Sequence, residues 1–195
     1  MKKTTLFFAA GLVLTMAACN NSTDSKKEAE KQNDSTFDNK GTGTAAGDSA
    51  DMKKDASFAV AVADGGMLEV QLGQLAQTNG SSAAIKTFGK EMIADHGKAN
   101  QELMSLAQTK GIVLPGSLSD KHQHAYNDLA AKKGTDFDKA YIDLMVSDHK
   151  DVVDAFQQEA DKGNDPDIKA WAGKTLPTIQ HHLEMAKMTQ DKVKK

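Results

Sequence analysis

Met92-Ile93-Ala94-Asp95-His96 and Met145-Val146-Ser147-Asp148-His149 are two copies of one Met-x-x-Asp-His pattern. Seven residues beyond each histidine stands a large apolar residue, Leu103 or Phe156, and eleven beyond stands Ala107 or Ala160. Offsets of four, seven and eleven fall on one face of an α-helix. Each copy is therefore expected on a helix whose buried edge carries a methionine, an Asp-His pair and an apolar stripe.

Helical periodicity continues on both sides of the pair. A helix from about Ala56 to Thr78 puts Phe58, Val62, Gly65, Leu72, Gly73 and Ala76 on one stripe, with Glu69 in its middle. Its glycines would let another backbone approach closely. Asn79-Gly80 ends that helix, and Ser81 or Ser82 can cap a second one that runs to Gly111. Leu114-Pro115-Gly116 is a stop, and Ser119 can cap a short helix to about Lys132. A third long helix starts near Asp136 and ends at about Lys162. Asp165-Pro166 opens the fourth with a cap residue and a proline, and Pro177 interrupts it four residues after Gly173. Four long helices with short links predict an all-α four-helix bundle over residues 56–192. A short extra helix lies between the second and third long helices, and residues 193–195 form a tail.

Composition narrows the function. All 24 basic residues are lysine, and the formal net charge is −3. Without arginine forks or a basic excess, no nucleic-acid partner is expected. Gly65-Gly66 lies inside a helix with no strand before it, so it is not a phosphate loop. No nucleophile elbow occurs, and the single cysteine is at position 19.

That cysteine follows Met1-Lys2-Lys3, an apolar run from Leu6 to Met16, and Ala17-Ala18. The apolar run is shorter than a membrane span and fits a secretory signal over residues 1–18. The pattern resembles a bacterial lipoprotein lipobox, with Met16 where leucine is usual. The resemblance implies cleavage before Cys19, lipidation of its thiol, and a membrane partner reached through that anchor. Residues 19–55 are polar and lack apolar periodicity, and are expected to be a disordered tether. The expected place is the bacterial cell envelope, with the chain anchored to the outer membrane.

Each long helix carries polar groups on its apolar face: Glu69, then Asp95 and His96, then Asp148 and His149, then His181 and His182. Bundle cores hold metals through inward carboxylates and imidazoles on facing helices, most often as Glu-x-x-His, which is absent here. Adjacent Asp and His lie about 100° apart on a helix, so one can point inwards while the other reaches sideways. Periodicity leaves open which does so. It also leaves open whether the groups bind a metal or only lock the helix register. Glu69, His96, His149 and His182 are the candidate ligands for iron or copper. Asp95, Asp148, His181, Met92, Met145 and Met185 are alternative ligands or supporting groups, the methionines under a copper reading. His122 and His124, in the short polar helix, are expected to be exposed.

Six segments in order resemble the domain-of-unknown-function family 4142, whose members are labelled predicted outer membrane proteins. They are Phe58 with Gly65 to Val70; Met92 to His96 with Leu103; and Gly111-Ile112-x-Leu114-Pro115. Phe137-Asp138-x-x-Tyr141, Met145 to His149, and Thr175-Leu176-Pro177 with His181-His182 complete the set. The resemblance implies a ferritin-like four-helix fold and carries no established reaction. The chain then reads as a non-enzymatic envelope lipoprotein with a metal-binding or structural polar core. Alternatives are a metal-dependent oxidoreductase or metal-storage module, and a protein-interaction module whose partner the sequence does not name.

Overall fold

The computed structural model describes residues 24–40 and 46–194, so Cys19 and the expected signal lie outside the described residues. Six helices follow in order: α1 Ser25–Lys40, α2 Ala46–Asn79, α3 Ala83–Lys110, α4 Asp120–Ala130, α5 Gly134–Lys162 and α6 Pro166–Val193. The long helices α2, α3, α5 and α6 form the bundle, and α4 is the short extra helix.

Local chemistry sets the helix ends. The Ser82 side chain accepts from the Ala84 N–H at the start of α3, and Gly111 closes that helix in the left-handed region at φ 69°. Asp165 caps α6 by accepting from Asp167 and Ile168, with Pro166 in the first turn. Pro177 does not break α6, which is helical on both sides of it.

The ends also fix the topology. At one end the Asp138 carboxylate accepts from the backbone N–H groups of Ser81 and Ser82, so α5 starts beside the start of α3. At the other, Asp55 accepts from the backbones of Asn164 and Asp165, so α6 starts beside the first part of α2. Lys110, ending α3, pairs there with Asp165 and Asp167. Hence α2 and α6 run one way and α3 and α5 the other. The chain returns along the bundle between α3 and α5, which is the single long crossover of a ferritin-like connection. The α2–α3 and α5–α6 hairpins pack internally more closely than they pack on each other.

One glycine pair brings α2 and α3 together. A Cβ on Gly73 would lie 2.6 Å from the Gly89 carbonyl oxygen, and one on Gly89 2.9 Å from that of Gly73. Only glycine allows that approach.

The expected tether is where sequence and structure differ. Residues 25–40 are the helix α1, and α2 begins ten residues before Ala56. Ala29, Asn33 and Phe37, one turn apart, are buried, and Phe37 joins the core around Leu103 and Trp171. The Asn33 side chain donates to the Val113 carbonyl at 2.9 Å and accepts from the Val113 N–H at 2.7 Å. A stripe of three residues in a polar helix leaves almost no periodic signal. Its polar partner lies eighty residues away in sequence.

The core forms two apolar clusters along the bundle. One contains Leu72, Phe88, Met92, Tyr141 and Met145, and the other contains Leu103, Phe156, Ile168 and Trp171. Between them, at mid-height, lie Glu69, His96, His149 and His182, one from each long helix and all buried.

Asp138, near the start of α5, joins the second hairpin to the turn of the first. It is 2% exposed and also accepts from the Ser81 hydroxyl. Asp138→Ala removes the acceptor of three part-buried hydrogen bonds and is expected to cost about 1–3 kcal/mol in urea-melt stability. An unchanged midpoint would contradict this.

Candidate metal centre

The four mid-height residues form one cluster. His96 Nδ1 lies 2.8 Å from Glu69 Oε2, and His149 Nε2 lies 3.6 Å from Glu69 Oε1. The three imidazole centroids are 5.1–5.7 Å apart. One ring nitrogen from each histidine lies within 4.8 Å of one from the other two. Tetrahedral ligands around an ion with bonds of about 2 Å sit about 3.4 Å apart, so shifts of about 1 Å would close the set.

Each ring is held by one of its nitrogens. His96 Nδ1–H donates to Glu69, His149 Nδ1–H donates to the Met145 carbonyl at 3.0 Å, and His182 Nε2–H donates to Asp95 Oδ2 at 2.9 Å. All three partners are acceptors, which places the proton on that nitrogen. The other nitrogens (His96 Nε2, His149 Nε2 and His182 Nδ1) are buried without a hydrogen-bond partner among the described residues. Glu69 Oε1 is in the same condition. Three ring nitrogens and one carboxylate oxygen thus stay without a partner among the described residues of the buried layer. Orienting a ligating imidazole through its other nitrogen is how metal sites fix the tautomer.

The electrostatics separate the histidines. Burial pushes the Glu69 carboxyl up, but the adjacent imidazoles, His96 foremost, outweigh it and hold the group at about 2. His96 is lowered by burial and raised more by Glu69, so it ends above its ordinary value. Burial lowers His149. It takes His182 down to about 4, with help from the neighbouring imidazoles and against the pull of Asp95. Glu69 is therefore ionised and His182 neutral at neutral pH, and His96 is the ring whose charged form the Glu69 carboxylate favours.

Two openings reach the cluster. A cleft of about 680 Å³ between α2 and α5 ends at Glu69 and His96. A smaller cavity of about 110 Å³ between α3 and α6 reaches His96 and His182 past Asp95, Lys98 and Lys174.

The family model for the domain of unknown function DUF4142 matches residues 40–189. The chain belongs to the DUF4142 family. No curated protein and no solved structure matches it. The family match covers all four long helices of the bundle and leaves out α1 up to its last residue.

In this DUF4142 chain the histidine of each Asp-His pair faces the core, and the aspartate reaches sideways. Asp95 is half-buried and holds His182. Asp148 is half-buried too, and burial, then Glu69, push its carboxyl up to about 6. Met92 and Met145 are fully buried in the apolar cluster one turn away, and Met185 packs half-buried against it. His181 is exposed. His124 is exposed as expected, but His122 is not: it is half-buried with Nδ1 2.9 Å from Asp64 Oδ2. Asp64 also accepts from the Ser119 N–H that begins α4. That pairing was not legible because Asp64 and His122 meet only through the crossover. The Met145 carbonyl was missed as well, since a backbone acceptor has no sequence signature.

The depressed His182 makes metal-free stability depend on pH. At pH 7 the ring is neutral in folded and unfolded chains. As pH falls from about 6.5 towards 4, the unfolded chain takes up the proton and the folded one resists it, so stability is lost. His182→Gln does not titrate. The stability advantage of wild type over His182→Gln, measured in chelator, should shrink by on the order of 2 kcal/mol between pH 7 and pH 4. A constant difference would mean that His182 titrates normally.

Proposed function

We propose that this DUF4142 protein binds one transition-metal ion in the bundle core, with His96, His149 and His182 as nitrogen ligands and Glu69 as the oxygen ligand. The observation that carries the reading is the set of four buried, unpartnered donor atoms in one mid-height layer. A purely structural network would pair those atoms with each other, because an unsatisfied buried polar group costs about 1–3 kcal/mol. Three imidazoles and a carboxylate suit iron, copper or zinc. Sulfur is a weaker fit, since Met92 and Met145 serve the apolar cluster.

The cellular setting is also a proposal. Lys2-Lys3, the apolar Leu6–Met16 run and Ala17-Ala18-Cys19 support export and lipid anchoring. None of the described helices is long and apolar enough to cross a membrane. In that setting the bundle is a metal-holding module of the cell envelope, tethered by its N-terminal segment.

Purified protein, stripped with chelator and titrated with iron, copper and zinc salts, should take up about one ion per chain for at least one of them. His149→Ala should weaken that uptake by about 100-fold or more. Glu69 favours the protonated form of His96, which cannot ligate through Nε2, so metal competes with that proton and affinity should rise with pH. Calorimetry in buffers of different ionisation heat measures the proton. If the wild type takes up none of the three metals, the proposal fails.

A further inference from the structure

The cleft between α2 and α5 has no packing role, and its shape is written into one residue. Glycine inside a helix costs about 1 kcal/mol relative to alanine. Gly73 and Gly89 have a reason, the close approach of two backbones, and a Cβ on Gly66 would strike the Asn100 side chain. Gly65 and Gly97 have none, since a Cβ built at either meets nothing within 4 Å, and of the two only Gly65 borders the cleft. Gly65 lies one turn before Glu69 and lines the cleft together with Val152 and Phe156 of α5. Alanine there would be accommodated and would favour the helix, so what the glycine provides is open volume.

The cleft suits a small organic molecule. Its volume of about 680 Å³ falls within the usual range for such sites, about 300–1,000 Å³. Phe58, Val62, Val152 and Phe156 give it apolar walls, whereas its inner end presents Glu69 and His96. Each of these two residues also carries a buried polar atom, Glu69 Oε1 and His96 Nε2, without a hydrogen-bond partner among the described residues. An apolar tube that ends on such residues suits a ligand with the matching division.

We propose that this cleft binds an organic molecule with an apolar body of about one or two rings and a nitrogen or oxygen donor at its inner end, the donor meeting the metal centre. The inner contact rests on the metal reading given above; the apolar part does not. Gly65 is the residue that admits the body.

The test uses 4-phenylimidazole as probe and imidazole as its truncated control, by calorimetry on full-length protein with and without bound metal. Wild type should bind 4-phenylimidazole in both states, more tightly when metal is present. Gly65→Leu, which fills the cleft, should weaken 4-phenylimidazole by about tenfold or more while leaving metal affinity and imidazole binding unchanged. Ala61→Leu, on the next turn of the same wall, should act in the same direction, and Gly65→Ala should keep binding and melt higher. Binding that is equal in wild type and Gly65→Leu, or no binding to wild type in either state, overturns the proposal. Loss of 4-phenylimidazole in Gly65→Leu from protein that takes up no metal would uphold the cleft and remove only the metal.

Discussion

A carboxylate buried at mid-height is the constraint to which the bundle answers. Glu69 is 3% exposed, and an isolated charge there would cost several kcal/mol. The structure does not neutralise it by protonation, for its carboxyl is held at about 2. Three imidazoles surround it instead, each from a different helix, with His96 in direct contact. That arrangement fixes register. A helix shifted by one turn, about 5.4 Å, would replace its histidine by an apolar residue and leave the charge unpaired.

Stability and reactivity are divided by layer. The apolar clusters above and below hold the helices together, while the polar layer between them carries the unsatisfied atoms. Its rings are aimed by three unlike acceptors: a buried carboxylate, a backbone carbonyl and a half-exposed carboxylate. Unlike surroundings give unlike basicities: the Glu69 carboxylate raises His96 against its burial, while burial lowers His149 and His182. A layer built only for register would gain from full hydrogen bonding, and this one forgoes it.

Much of this layer could be read before the fold was known. Methionine four residues ahead of each histidine, with Leu103 or Phe156 seven residues after it, marks one helix face, and Glu69 sits inside an apolar stripe. What periodicity could not resolve was the choice between neighbours 100° apart, because Asp95 and His96 each align with apolar residues. Tertiary context decides it: the outward aspartate is needed by His182, on another helix. The N-terminal segment was read as a tether for a different reason. Propensity arguments weigh composition, and α1 is polar throughout except where Ala29 and Phe37 dock beside Asn33. Long-range pairing with the Val113 backbone outweighed composition there.

The four mid-height residues are divided between the two hairpins. Glu69 and His96 belong to the α2–α3 hairpin, and His149 and His182 to the α5–α6 hairpin. Each hairpin packs tightly within itself, at Gly73 and Gly89 in the first, but the contact between α2 and α5 is thinner, and the cleft opens along that seam. An ion bound to all four residues would therefore bridge the weaker interface rather than reinforce a strong one. In the metal-free protein the nearest approach of free donors across the seam, Glu69 Oε1 to His149 Nε2 at 3.6 Å, is too long for a hydrogen bond. Closing it would draw α2 towards α5 at mid-height and narrow the inner end of the cleft. An ion bound at the proposed centre would thus tie the width of the cleft to the spacing of a single pair of helices.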